Sequence, residues 1–241
     1  NFGTKVNGEA FENIARTVPV KLLAKHKNSI HQLEALLLGQ ANLLPENPED
    51  DYLKLLVREY LFLKSKYNLS KTAIPVHFLR MRPPNFPTIR LAQLAALVQQ
   101  SEHLFSKVLE AEKVSVVKKW LAVTANDYWH YHYRFGEPSA YKPKTVGGDM
   151  IDGIIINTIV PTLFAYGHYH GREELKEKAI VWLQATAAEN NYITKGFKDV
   201  SITNANAFDS QALIELKNEY CNYRRCLECA VGNALLKTYS T

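Results

Sequence analysis

The feature that most constrains this chain is a run in which Leu53, Leu56, Tyr60, Leu63 and Tyr67 recur at alternating three- and four-residue steps. That spacing lays all five side chains along one face of an α-helix, whereas the two-residue repeat of a strand would split them between faces. The acidic loop from Pro45 to Asp51 before the run, and Lys64 and Lys66 near its end, suit the helix dipole.

The same reading extends over the chain. Short helices are expected over Gly8–Ala15 and Val20–His26, with Pro19 setting the first turn of the second. Ser29 caps a third, in which Leu33, Leu36 and Leu37 share a face until Gly39 weakens it. Thr88 is the expected cap of a helix carrying Leu91, Leu94, Ala95 and Val98. Further helices are expected from Ser115 toward an aromatic cluster near Trp129, from Asp149, from Arg172 to Ala188, and from Asp209 or Ser210. Only 11 glycines punctuate 241 residues, too few for a fold of many strands. The predicted fold is all-α: an irregular multi-helix array with little or no sheet, in one domain over residues 1–241. A subdomain boundary is expected in the Pro- and Gly-rich linker 136–148.

The most apolar stretch, Ile151 to Tyr166, is interrupted by Asp152, Asn157 and Pro161. It falls short of the roughly 20 residues of a membrane span, so a buried helix and no membrane partner are expected. Three cysteines, all at or after position 221, do not make the disulfide framework of a small secreted domain. No charged leader opens the chain, and the first residue is Asn rather than Met. These features are read as a fragment of a protein from a reducing, cytoplasmic compartment. The net charge of +5 singles out no partner.

Three stretches taken together, NFGTKVNGEAF at the start, FPTIRLAQLA in the middle, and LKNEYC followed by CLECAVG near the end, resemble an uncharacterised bacterial family known as domain of unknown function 2851. The resemblance spans essentially the whole chain. It implies that this chain is the C-terminal part of a longer protein, whose absent N-terminal half carries charged positions loosely like the sheet-borne carboxylates of restriction-type nucleases. That half is the expected partner, and none of its residues can be carried over here.

Four groups of residues can carry chemistry. Arg80, Arg82 and Arg90 surround Asn85 and Phe86 on a backbone stiffened by prolines, where guanidinium forks suit phosphate oxygens and Phe86 suits a base. The alternative is that the arginines pair with the acidic loop or cap helix ends while Phe86 fills the core. Cys221, Cys226 and Cys229 have thiolate spacing, but a structural zinc takes four ligands. In one unbroken helix the outer two would lie about 12 Å apart, so zinc or iron requires a break near Asn222. Otherwise the three are small buried hydrophobes, and no cofactor is expected.

The cluster from Asn126 to Phe135 brings Trp129, His130 and His132 together as candidate pocket residues, or as aromatic cement with polar tips. Asp152, inside an apolar helix, either joins that pocket or serves the first turn. No phosphate-cradling glycine loop, His-Glu-x-x-His or Gly-x-Ser-x-Gly occurs, so no catalytic centre is expected. The leading functional expectation is a non-catalytic helical module that binds nucleic acid or supports a nuclease-like half. A structural or protein-interaction domain and a metal module on the cysteines are the alternatives.

Overall fold

The computed structural model describes residues 6–70 and 74–238 and is mostly α-helical, as the periodicity predicts. In chain order the helices are α1 (Gly8–Thr17), α2 (Val20–Lys25), α3 (Ile30–Gln40), α4 (Asp51–Tyr67), α5 (Pro87–Gln100), α6 (Leu104–Glu110), α7 (Val114–Leu121) and α8 (Asp127–His130). There follow α9 (Gly148–Ile154), α10 (Val160–Tyr169), α11 (Glu173–Gln184), α12 (Tyr192–Asp199), α13 (Ala207–Glu215) and α14 (Ala230–Thr238). A short antiparallel ribbon, β1 (His132–Arg134) with β2 (Glu137–Pro138), follows α8. The chain forms two compact units: the first runs through Glu110 and resumes over Ser115–Ile154, the second is Ala111–Val114 with Ile155 onward. Residues 136–148 lie inside the first unit. There Lys144, almost fully buried, donates to the carbonyls of His130 at 3.2 Å and Lys142 at 3.0 Å.

In the first unit α3 is the axis. Every residue from Leu33 to Gln40 is buried, so the helix has no solvent face and is covered by α4, α5 and α1. Each fully buried leucine contributes about 2 kcal/mol relative to exposure, and Leu33, Leu36, Leu37 and Leu38 all sit here. The α4 stripe behaves as its spacing predicts: Leu53, Leu56 and Leu63 are buried, and Tyr60 and Tyr67 pack partly buried against the same core. Ser29 caps α3 by accepting from Gln32 N at 3.4 Å, and Asp50 caps α4 by accepting from Leu53 N at 2.7 Å.

One expected cap and one expected helix start are displaced. Helix α5 begins at Pro87, after Phe86, because the proline ring fits the first turn. Thr88 is buried instead and donates to the Tyr133 carbonyl at 2.6 Å. At α13 the cap is Asn206, which accepts from Asp209 N at 3.0 Å.

In the second unit α10 and α11 form a close hairpin. Gly167 faces the Arg172 carbonyl and the Leu175 side chain, where a Cβ would fall at 2.9 and 3.0 Å. The apolar region departs from expectation. Gly148–Tyr169 is helical over 22 residues, which by length and composition alone is enough to cross a membrane, and only 33% of its most apolar window is buried. The expected buried helix is therefore buried along one face only. Ile151, Ile155, Ile156, Val160, Leu163 and Gly167 are buried, while Asn157, Thr158, Pro161 and Phe164 are exposed. Pro161, lacking an N–H and crowding the preceding turn, explains the wider π turn at Ile155–Ile159 that rotates the apolar stripe.

Gly39 shows why packing outranks propensity here. A Cβ at this position would fall on the Tyr60 ring of α4. Replacing a mid-helix glycine by alanine gains about 1 kcal/mol in a free helix, but here Gly39→Ala is expected to lose roughly 1 to 3 kcal/mol through overpacking. Denaturant midpoints should show the loss for Gly39→Ala and almost none for Gly147→Ala, whose Cβ would meet nothing within 4 Å.

Candidate functional site

The proline-rich loop does not assemble its arginines into one surface. Arg80 and Arg82 are exposed, but Arg90 lies in α5 at 6% exposure, donating to Gln93 Oε1 at 2.8 Å and Asn85 Oδ1 at 2.5 Å. Burial lowers its pKa from the usual guanidinium value. Phe86 is buried, edge-on to Phe78 with centroids 5.1 Å apart, and the Arg134 guanidinium lies 4.6 and 4.7 Å from those two rings. The 3-10 turn at Pro83–Asn85 and Pro87 at the head of α5 aim Phe86 and Arg90 inward. Of the five loop residues singled out, only Arg80 and Arg82 present a full side chain to solvent.

The aromatic cluster divides by direction. Trp129 is fully buried and its indole N–H donates to Glu34 Oε1 at 3.2 Å. The other Glu34 oxygen accepts from the Tyr52 hydroxyl, whose oxygen also accepts from Asn126 Nδ2 at 3.1 Å. Tyr52 stacks on Tyr128 at 4.2 Å, and Tyr128 stacks on His132 at 4.1 Å while its hydroxyl donates to Asp50 Oδ2 at 3.2 Å. His130 Nδ1 stands 3.6 Å from Asp127, and its ring is edge-on to Tyr141. Asp152 is engaged by Lys118 at 2.6 Å.

Glu34 is the residue that sequence reasoning missed. Its only signal is a carboxylate inside LEALLL, a helical run with no polar face to carry it. Burial raises its pKa from 4.5 to about 7, against the lowering effect of the Tyr52 and Trp129 hydrogen bonds. Burial and the adjacent carboxylate push the Tyr52 hydroxyl upward, so it remains a donor.

The cysteines do not converge. The helix does break after Cys221, as a metal site would require, yet Cys221 and Cys226 are exposed while Cys229 is buried. Among the described residues no group of three or more His, Cys, Asp or Glu side chains is placed to hold a metal ion.

Elsewhere in the first unit, the end of α1, α2 and the end of α4 border an open groove of about 560 Å³. Arg16, Lys21, Lys25, Tyr67, Asn68 and Ser70 line it together with Leu22 and Leu69, and among the described residues no acidic side chain does. Its wall is held by a relay that begins on α4. Glu59 Oε2 accepts from Gln32 Nε2 at 3.0 Å, which turns the amide oxygen toward His26 Nδ1 at 2.6 Å. An amide oxygen only accepts, so Nδ1 carries the proton, and in the neutral ring Nε2 accepts the Tyr67 hydroxyl at 2.9 Å. The Tyr67 ring in turn draws Lys25 to 5.9 Å and Lys66 to 5.4 Å from its centroid. The sequence signal is only Lys21 and Lys25 at helical spacing; the groove exists because residues 16–25 and 67–70 meet in space.

Fold and site together define an all-α protein with a basic groove on its N-terminal helical unit. The chain belongs to the family described as protein of unknown function (DUF2851), whose model matches residues 1–192. The LKNEYC and CLECAVG stretches, with all three cysteines, lie beyond the matched residues. No curated protein and no solved structure matches the chain.

The buried carboxylate yields a signed prediction. Because the folded state raises the Glu34 pKa to about 7, it binds a proton that the unfolded chain releases near 4.5. Stability therefore falls as pH rises from the unfolded value through the folded one, by on the order of 3 kcal/mol. Glu34→Gln, which keeps the shape and an acceptor, should flatten this segment of the stability–pH curve. Denaturant unfolding at pH 5 and pH 8 checks it; an unchanged slope contradicts the assignment.

Proposed function

We propose that this chain is a non-catalytic helical module that binds nucleic acid through the groove between α1, α2 and α4. The observation that carries the reading is the charge of that groove: Lys21 and Lys25 line it beside Arg16, which is paired with Glu12, and among the described residues no acidic side chain lines it. Phosphate oxygens are the common anionic partner for such a set, and the release of counterions from the strand supplies the driving force. The exposed Arg80 and Arg82 form a secondary contact rather than the main one. Within a longer cytoplasmic protein, the module would hold the strand while an N-terminal nuclease-like half acts on it.

A second reading, a protein-interaction domain, has its own support. The second unit exposes large apolar side chains, among them Tyr169, Val181, Tyr192, Val200 and Leu227. Such exposure marks contact surfaces when it is contiguous. The two readings use different units and are separable by mutation.

The test is a fluorescence-anisotropy titration with short single- and double-stranded DNA and RNA at low and moderate salt. Affinity should fall steeply with salt, and Lys21→Glu with Lys25→Glu should weaken binding and reduce the log–log salt slope by roughly 1.5, as expected for two lost phosphate contacts. No affinity at low salt for any of these ligands removes the reading.

A further inference from the structure

The groove carries more uncompensated charge than one internal phosphate of a strand needs. Arg16 is already paired with Glu12 at 2.7 Å. Among the described residues neither Lys21 nor Lys25 is in an ion pair. They stand one helical turn apart on α2, both exposed, so their ammonium groups reach the same region. An internal phosphodiester brings a single negative charge, whereas a terminal phosphate monoester brings about 1.5 to 2 at neutral pH.

Size and preorganisation point the same way. The groove is open to solvent and, at about 560 Å³, has room for one phosphate and the nucleotide that bears it. Lys25 lies over the Tyr67 ring, and that ring is fixed through its hydroxyl by His26, Gln32 and Glu59. One cation is thereby held near its working position before any ligand arrives, which lowers the ordering cost of binding. Asn68 and Ser70 add neutral polar groups to the same lining.

We infer that the groove receives the terminal phosphate monoester of a nucleic-acid strand, with Lys21 and Lys25 on its oxygens. The inference rests on the nucleic-acid reading above and narrows it from the strand's backbone to its end. Tyr67 acts through Lys25 and is a positioning residue.

The experiment uses the full chain and one short single-stranded DNA in three forms, 5′-phosphorylated, 3′-phosphorylated and unmodified, followed by anisotropy at constant salt. At least one phosphorylated form should bind roughly tenfold or more tightly than the unmodified strand, the gain expected from added charge-assisted contacts. The comparison between the two ends identifies which is read. In Lys21→Gln/Lys25→Gln, whose exposed positions leave the fold intact by circular dichroism, this preference should disappear. Tyr67→Phe should reduce the preference without abolishing binding of the unmodified strand, a selective change that general loosening of the fold would not produce.

Equal affinity for all three forms, lost together in the double variant, overturns the end-recognition inference and leaves the nucleic-acid reading standing. A preference that survives the double variant overturns the assignment to this groove. No affinity for any form overturns both.

Discussion

Everything in the N-terminal unit depends on α3 having no face to solvent. A helix buried from Leu33 to Gln40 obliges each neighbour to meet it with a complementary surface, and makes a protein partner for its polar side chains strongly favourable. Gly39 admits the Tyr60 ring. Gln40 donates to the Tyr60 hydroxyl at 3.4 Å. Glu34 recruits Tyr52 and Trp129, and through them the stack of Tyr52, Tyr128 and His132 and the Asp50 cap of α4. Two residues before Glu34, Gln32 reaches His26 and so fixes the wall of the basic groove. The same helix thus supplies the core and the scaffold of the surface site.

The elements legible in the sequence are those whose signal is local. The α4 stripe of leucines and tyrosines, the Ser29 cap and the all-α class all follow from spacing and side-chain chemistry within a few residues. Direction of long side chains is not local. Arg80, Arg82 and Arg90 look equivalent along the chain, yet Arg90 turns inward because it falls within the buried face of α5 and finds Asn85 and Gln93. The same holds for Trp129 and His132, neighbours in sequence that end in different surroundings, one on Glu34 and one on Tyr128.

The least legible features are those made by meetings across the chain. Glu34 is ordinary by composition and acquires its raised pKa only when α4 and α8 close over it. His26 and Tyr67 are 41 positions apart, and nothing in either neighbourhood announces the other. The apolar stretch around Asn157 shows the complementary error. Its composition suggested a buried helix, but one side packs and the other stays exposed, with a π turn just before Pro161.

The central functional claim is that a nucleic-acid ligand contacts the groove that α3 holds in place. Backbone amide shifts of the isotopically labelled chain, followed by NMR during titration with a short single strand, test it most directly. Contact at the groove predicts perturbations concentrated at residues 16–25 and 66–70, with little change in the second unit. Perturbations centred instead on residues 80–86 or on the exposed apolar side chains of the second unit, or a spectrum that does not change, contradict it.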